Sequence, residues 1–131
     1  MLKSRILILA LLVVCSTPIW AHSHEEDGHA LVQDIHRAGA EIDIDEDQDE
    51  VYEAVKQGLI KPFSELYATV DTHLNGRVIK VELEEDDDEW MYKLKLVHDN
   101  NIIRVRYDAT TLEMVEIEGR NLQKVLQLGS Q

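Results

Sequence analysis

Residues 62–118 read PFSELYATVDTHLNGRVIKVELEEDDDEWMYKLKLVHDNNIIRVRYDATTLEMVEIE, and this stretch decides the fold. Its first part repeats apolar residues at steps of three and four, which predicts an amphipathic helix that begins near Pro62 and ends at Asn75-Gly76. The predicted apolar stripe consists of Phe63, Leu66, Tyr67, Val70 and Leu74. This stripe must be buried against another element of the chain.

After Gly76 the apolar period changes to two, which is typical of strands with one buried face. Four such runs follow, separated by the turn sequences DDDE, HDNN and DATT. The residues predicted to face the core are Ile79, Val81 and Leu83, then Trp90, Tyr92, Leu94 and Leu96, then Ile103, Val105 and Tyr107, with a fourth strand from about Leu112 to Glu118. Short connections predict an antiparallel meander with the helix on its apolar face, so the fold class is α+β.

A shorter helix is predicted just before the long one. Asp47 or Asp49 can cap it, Val51 and Ala54 lie on one face, and Gly58 can end it. The fold therefore combines a short helix and a longer amphipathic helix with a four-stranded antiparallel sheet.

Four segments of this region resemble the PepSY domain family: AVKQGLIKPF at 54–63, GRVIKVELE at 76–84, WMYKLKL at 90–96 and DATTLE at 108–113. The resemblance covers residues 51–118 and implies a PepSY-like domain there. In the family a glycine stands where this chain has Leu112. Because glycine tolerates positive φ, we expect the turn here to be strained, reshaped or shifted.

PepSY domains occur in the propeptides of thermolysin-type proteases and in cell-envelope proteins. The resemblance therefore implies a regulatory or inhibitory role through protein binding. It implies no catalytic residues, because the family has no agreed ones. The sequence also lacks a G-x-S-x-G elbow and a phosphate-binding loop.

Residues 1–21 are predicted to be a secretory signal peptide. Lys3 and Arg5 form its charged start, an apolar run covers 6–15, and Ala21 precedes the expected cleavage site. An uncleaved membrane anchor is the alternative, although the apolar run is short for a span. Cleavage places the mature protein in the periplasm or outside the cell, with no stable membrane span.

The chain is acidic, with a net charge of −13. Removing the leader takes Lys3 and Arg5 away, which leaves −15, and it also removes Cys15, the only cysteine. Such an acidic chain lacks the basic footprint that nucleic acid requires, so we expect no nucleic-acid partner. Without cysteine, the mature chain has no disulfide bonds.

Residues 22–50 are predicted to be a disordered tether that contains acidic residues and histidines, because charge is dense there and apolar residues are few. Residues 119–131 are predicted to be a C-terminal tail. Within it, Leu122, Val125 and Leu126 have helical spacing, which predicts a marginal helix that forms only against another element.

The new amino terminus is a candidate metal site. Cleavage after Ala21 makes the mature chain begin with His22-Ser23-His24. A free amine, two backbone amides and a histidine at position three form a square-planar nitrogen site that suits Cu(II) or Ni(II). The candidate ligands are His22, His24 and, further along the chain, His29. A solubilising tail that contains histidines is the simpler interpretation.

The candidate residues for partner binding are Trp90, Lys93, Lys95, Arg104 and Arg106. The four cations alternate with core residues on neighbouring strands, so we expect them on one face, where an acidic peptide could bind. The simpler account pairs them with Glu82, Glu84, Glu113 or Glu116 across strands. Trp90 is either a core or rim aromatic or a binding anchor.

The leading functional hypothesis is a non-enzymatic periplasmic module that binds a protein or peptide partner in the cell envelope and regulates it, for example by inhibiting a protease. The sheet face or a sheet edge would receive an extended segment of that partner. The alternative hypothesis is a periplasmic protein that binds Cu(II) or Ni(II). The sequence leaves the oligomeric state open.

Overall fold

The computed structural model describes residues 27–127, and these residues form one mixed sheet with helices on one of its faces. The elements in chain order are α1 (Gly28–Val32), β1 (Glu41–Ile44), α2 (Gln48–Lys56), α3 (Phe63–His73), β2 (Arg77–Asp86), β3 (Glu89–His98), β4 (Asn101–Asp108), β5 (Met114–Glu118) and α4 (Leu122–Val125). The α+β class is confirmed. The leader at 1–21 lies outside the described residues.

The sheet has five strands in the order β1-β2-β3-β4-β5, where four were predicted. The pairs from β2 to β5 are antiparallel and follow the predicted meander. The added strand, β1, pairs with β2 in parallel. A parallel neighbour requires a long crossover, which α2 and α3 provide. The all-antiparallel description is therefore wrong at this edge.

The prediction of a disordered tether over 22–50 is also wrong for the described part, because α1 and β1 lie there. Val32 in α1 is fully buried, and Ile42 and Ile44 in β1 pack against the core. Dense charge hid the alternation of Ile42 and Ile44 with Glu41 and Asp43, which is a strand pattern.

The apolar stripe of α3 forms the centre of the core, as predicted. Tyr67 and Val70 are each 1% exposed, and Phe63 meets both Tyr67 and Tyr92 edge-on, with ring centroids 5.8 and 5.9 Å apart. The opposite side of this core is the predicted face of β2, β3 and β4. The contact between Phe63 and Tyr92 joins α3 directly to β3, in the edge-to-face geometry that aromatic rings prefer.

Both ends of α3 are capped by distant segments. Pro62 is the N-cap and offers no side-chain hydrogen bond, so Asp34 accepts hydrogen bonds from the amide (2.8 Å) and the hydroxyl of Ser64 instead. At the other end, the Gln127 carboxamide donates to the carbonyls of Asp71 (2.9 Å) and Leu74 (3.0 Å). The helix ends at His73, before the predicted Asn75-Gly76, because Leu74 extends to bridge Leu126.

The start of α2 agrees with the sequence. Asp47 is the N-cap and its carboxylate accepts from the amide of Asp49 (2.8 Å). Gly58 follows the helix with a φ of +77°, the left-handed conformation expected of a helix end. The predicted cap and stop are confirmed.

Two local details differ from or refine the predicted strands. A bulge between Val78 and Lys80 places Val78 in the core and leaves Ile79 only partly buried, so the predicted inward position of Ile79 is wrong. Leu112 has a φ of +60°, so the turn carries the strain of a non-glycine residue in the left-handed region, which is one of the outcomes expected there.

The predicted marginal helix near the C-terminus forms as α4. Val125 is fully buried, and its carbonyl accepts from the amide of Asn75 (2.6 Å). A helix of four residues is unstable alone, so this contact with the end of α3 stabilises it.

Candidate functional site

The sheet has one face covered by helices and one without them, which we call the open face. Because strand side chains alternate, Lys93 and Lys95 of β3 and Arg104 and Arg106 of β4 all project from the open face. The register sets Lys93 directly opposite Arg106 and Lys95 directly opposite Arg104. We call these four residues the basic strip.

Carboxylates flank the basic strip on both sides. Glu82 of β2 faces Lys93, while Glu116 and Glu118 of β5 face Arg106 and Arg104. Two strip residues form ion pairs: Lys93 Nζ lies 2.7 Å from Glu84 Oε2, and Arg106 Nη1 lies 3.2 Å from Glu116 Oε2. The simpler, structural account therefore explains Lys93 and Arg106.

Lys95 and Arg104 are different, because neither forms an ion pair with any of residues 27–127. Lys95 faces a cation on each side, Lys80 on β2 and Arg104 on β4. Like charges directly opposite each other destabilise a sheet. Lys80 itself forms an ion pair with Glu82 (2.8 Å), and this hydrogen bond raises the pKa of the Lys80 ammonium. Lys80 therefore stays charged, although Glu82 compensates part of that charge, whereas Lys95 and Arg104 have no such ion pair.

The strip lines a shallow trough of about 250 Å³. Its floor includes Leu94 and Val105, and its walls include Lys80, Glu82, Glu116 and Glu118. Within it, Arg106 Nε is buried and has no hydrogen-bond partner among the described residues. A trough of this size, with cations along its middle and an unmet donor, can bind an extended anionic segment by charge and hydrogen bonds.

A second cavity continues from Arg104 toward the β3–β4 turn, and we call it the end cavity. It measures about 310 Å³ and is lined by Asn100, Asn101, Ile102, Arg104, Gly119 and Arg120. The sequence analysis missed Lys80 and Arg120. Lys80 occupies an outward position of the neighbouring strand and could have been found from that alternation. Arg120 follows the last strand, and no local pattern indicates where it points.

Trp90 is not part of this surface. It is 5% exposed and belongs to the core on the helix-covered face, whereas the basic strip lies on the open face. At its rim Trp90 lines a separate cavity of about 420 Å³ with Asp49, Glu50, Glu53 and Glu85. Desolvation by nearby atoms and the neighbouring carboxylates Glu50, Asp88 and Glu46 raise the pKa of Glu85. Trp90 and the four cations therefore do not form one site.

The candidate metal ligands are only partly described, because His22 and His24 lie outside residues 27–127. His29 lies in α1, and its Nε2–H donates to the carbonyl of Glu46 (2.8 Å). A cavity of about 290 Å³ is lined by His29, His36 and Asp27, among others. Within the described residues, no three His, Cys, Asp or Glu side chains come close enough to hold a metal ion.

The two edges of the sheet are short and charged. β1 has four residues with Glu41 and Asp43 on it, and β5 has five residues with Glu116 and Glu118 on it. A register shift in the β4–β5 pair leaves Val115 without a partner and 56% exposed. Short, charged and bulged edges resist the addition of another strand. The open face is thus the better docking surface.

None of the helices between residues 27 and 127 is long and apolar enough to cross a membrane. The resemblance to the PepSY domain stays a prediction. Comparisons of the chain with models of protein families, with curated proteins and with solved structures find no match.

Proposed function

We propose that this protein is a non-enzymatic binding module of the cell envelope, exported by its leader, that regulates a protein partner by holding an acidic segment of it on the basic strip. The resemblance to the PepSY domain extends the proposal to the kind of partner, namely an envelope protease that the module inhibits or another envelope protein. The residues that act are Lys93, Lys95, Arg104 and Arg106.

One observation carries the proposal: two pairs of cations face each other on neighbouring strands of an acidic chain. Core packing does not require this arrangement, because these side chains are on the open face. Stability disfavours it, since like charges repel across a strand pair. Residues that cost stability and lie together on a surface are typical of a binding site.

The unpaired members indicate where the ligand charge belongs. Lys95 and Arg104 form no ion pair among the described residues, although Glu118 stands opposite Arg104 on β5, and the buried Arg106 Nε lacks an acceptor. An acidic segment along β3 and β4 would bring carboxylates to these groups and remove the repulsion among Lys80, Lys95 and Arg104. Flanking glutamates restrict the ligand to the middle of the face, which gives specificity in addition to affinity.

The test uses a fluorescein-labelled decapeptide in which Glu and Thr alternate and whose C-terminus is amidated. We expect the protein to bind it, with affinity that falls steeply as salt rises. The double variant Lys95→Ala/Arg104→Ala should weaken binding by at least about tenfold, because charge-assisted hydrogen bonds are lost.

The matched control is Lys56→Ala/Lys124→Ala, which removes the same charge from α2 and α4 on the other side of the sheet. It should bind within about a factor of two of the unchanged protein, since exposed charges at a distance are screened. Equal losses in the two double variants would show general attraction only, and absence of binding by the unchanged protein would overturn the proposal.

The second candidate function is Cu(II) or Ni(II) binding at the mature amino terminus, and the orientation of His29 favours it. Because Nε2–H donates to a carbonyl, the lone pair is on Nδ1, where a metal could bind. A backbone acceptor on the far nitrogen is the usual support of a metal-ligating histidine.

A copper titration of the secreted protein, with its first residue identified by mass spectrometry, tests this second function. A visible d–d band that is lost in His24→Ala and weakened in His29→Ala would support it. His98→Ala is the control, because His98 lies at the end of β3, outside the cavity that His29 lines. Absence of a band in the protein that begins at His22 would end it.

A further inference from the structure

The end cavity is the part of the open face that the basic strip alone does not explain. It holds two guanidinium groups, from Arg104 and Arg120, and two carboxamides, from Asn100 and Asn101. No carboxylate lines it, although the chain carries twice as many acidic as basic residues, 26 against 13. Neither arginine forms an ion pair within residues 27–127. The cavity is therefore suited to an anion.

The backbone on both sides of the cavity is held in conformations that bring these groups together. Gly119 has a φ of +157°, and a Cβ there would meet the side chain of Ile103 and the carbonyl of Ile102. Glycine thus lets the chain pass close over β4, and Arg120 follows immediately. Asn100, in the β3–β4 turn, has a φ of +62°, which asparagine tolerates.

Ile102 adds an apolar contact to this polar site. Its side chain is 43% exposed, one of four large hydrophobic residues that are exposed in the described part of the chain. It lies on β4 between the turn and Arg104. A ligand that fits must combine a charged anionic group with an apolar group within a few ångströms.

We propose that the end cavity binds the carboxyl-terminal residue of the acidic partner segment, with its α-carboxylate at Arg104 and Arg120 and an apolar side chain against Ile102. This inference rests on the proposed function and names the end of the segment that the strip holds. Arginine pairs bind carboxylates through parallel N–H···O bonds, and capture of a peptide C-terminus is an established mode of recognition.

The direction of the trough supports a chain end over an internal side chain. A segment that follows the strip passes Lys93 and Arg106, then Lys95 and Arg104, and then reaches the β3–β4 turn. Beyond that point stands Asp99, whose side chain is 73% exposed. A longer acidic segment would be repelled there, whereas one that ends at the cavity would not.

The size of the cavity agrees with a single residue. Sites for whole small-molecule ligands measure roughly 300–1,000 Å³, and the end cavity lies at the lower limit of that range at about 310 Å³. It can take one side chain and a carboxylate, while the preceding residues remain in the trough.

The experiment compares two fluorescein-labelled decapeptides with alternating Glu and Thr and a final Leu, one with a free carboxylate and one amidated. We expect the free acid to bind the unchanged protein at least about tenfold more tightly. In Arg120→Ala the two peptides should bind alike. Arg120 is exposed, so the variant should keep the melting temperature of the unchanged protein, which is measured alongside.

The control Lys124→Ala removes a cation that is near Arg120 in sequence but does not line the end cavity, and it should keep the preference for the free acid. Ile102→Thr should weaken binding of the free-acid peptide that ends in Leu. It should not weaken binding of a free-acid peptide that ends in Ser. If both decapeptides bind the unchanged protein equally, or if an amidated peptide that ends in Glu binds as well as the free acid, the cavity proposal is overturned while strip binding stands. If neither peptide binds, the proposed function fails with it.

Discussion

The two faces of the sheet differ in the polarity and burial of their side chains. Toward the helices, β2, β3 and β4 present large apolar side chains that are almost completely buried, such as Leu94 and Tyr107 at 2% and 0% exposure. Toward solvent the same strands present charged residues, among them Lys95 and Arg104, which face each other without an ion pair. One face is arranged for stability and the other accepts a cost in stability.

This difference shows how a binding surface can be recognised from the charges that a sheet presents to solvent. Exposed strand positions are free to carry complementary charges, and part of the open face does so, as in the pair of Lys93 with Glu84. Where complementary pairing stops, at Lys95, Arg104 and Arg120, the missing partner is an external anion in our proposals. Mutations on the two faces should therefore change the free energy of unfolding by different amounts. At Lys95, on the open face, the change should have the opposite sign.

The largest effect should come from the helix-covered face. Leu66→Ala removes a fully buried side chain of α3, and we expect the free energy of unfolding to fall by about 2–5 kcal/mol, since the substitution leaves a cavity in the core. Urea unfolding measures it. Lys95→Ala is the matched control on the open face and should change stability by less than about 0.5 kcal/mol. Equal losses would break the contrast between the faces.

An intermediate effect should appear at alkaline pH. Burial raises the pKa of Tyr107 to about 12, whereas in the unfolded chain this phenol titrates near its ordinary pKa of 10. The stabilisation is complete below pH 10 and is lost as the pH rises from 10 to 12, because only the unfolded state releases the proton there. We expect a loss on the order of 1–2 kcal/mol from this residue.

Tyr107→Phe supplies the control for the alkaline loss, because it keeps the ring and removes the titration. Thermal unfolding between pH 9 and 12 should show a shallower decline in this variant than in the unchanged protein. Identical declines would mean that Tyr107 does not contribute, and that Tyr92, whose pKa burial also raises, accounts for the loss.

The smallest effect should have the opposite sign. Lys95→Glu places a carboxylate between Lys80 and Arg104, which replaces repulsion by attraction across both strand pairs. We expect the free energy of unfolding to stay equal or to rise by up to about 1 kcal/mol at low salt, and this gain to shrink at high salt. Unfolding in urea at two salt concentrations checks both statements.

Binding should respond to this substitution in the other direction. If the strip holds an acidic segment, Lys95→Glu should abolish binding of the amidated Glu-Thr decapeptide while the protein remains folded. A stability loss above about 1 kcal/mol would show that Lys95 is needed for folding, and the contrast between the faces would then be wrong at its centre.

Local patterns predicted much of the molecule correctly. The spacing of Leu66, Tyr67 and Val70 identifies the buried side of α3, and Asp47 identifies the start of α2, because each depends on neighbours within one or two turns. The shared face of Lys95 and Arg104 follows from alternation and short turns. The bulge that turns Ile79 outward has no such local signature, so its burial was predicted wrongly.

The candidate site was predictable only in part. Alternation places the four strip cations on one surface. It does not show that Lys93 forms an ion pair with Glu84, whereas Lys95 forms none with any described residue. Side-chain pairing depends on register and on which acidic residue is within 4 Å. Trp90 was grouped with the cations although the same alternation places it on the inward face of β3, where the structure has it.

By itself, then, the sequence determined the elements from α2 to β5, most of their inward residues and the alternation of charge on the open face, because these depend on contacts between near neighbours along the chain. Only the tertiary structure decided that β1 joins β2 in parallel, that Asp34 and Gln127 cap α3, and that Arg104 and Arg120 share a cavity. These contacts join residues that are 16 to 56 positions apart in the sequence. Local periodicity carries no information at such separations, so the packing of the whole chain selects the partners.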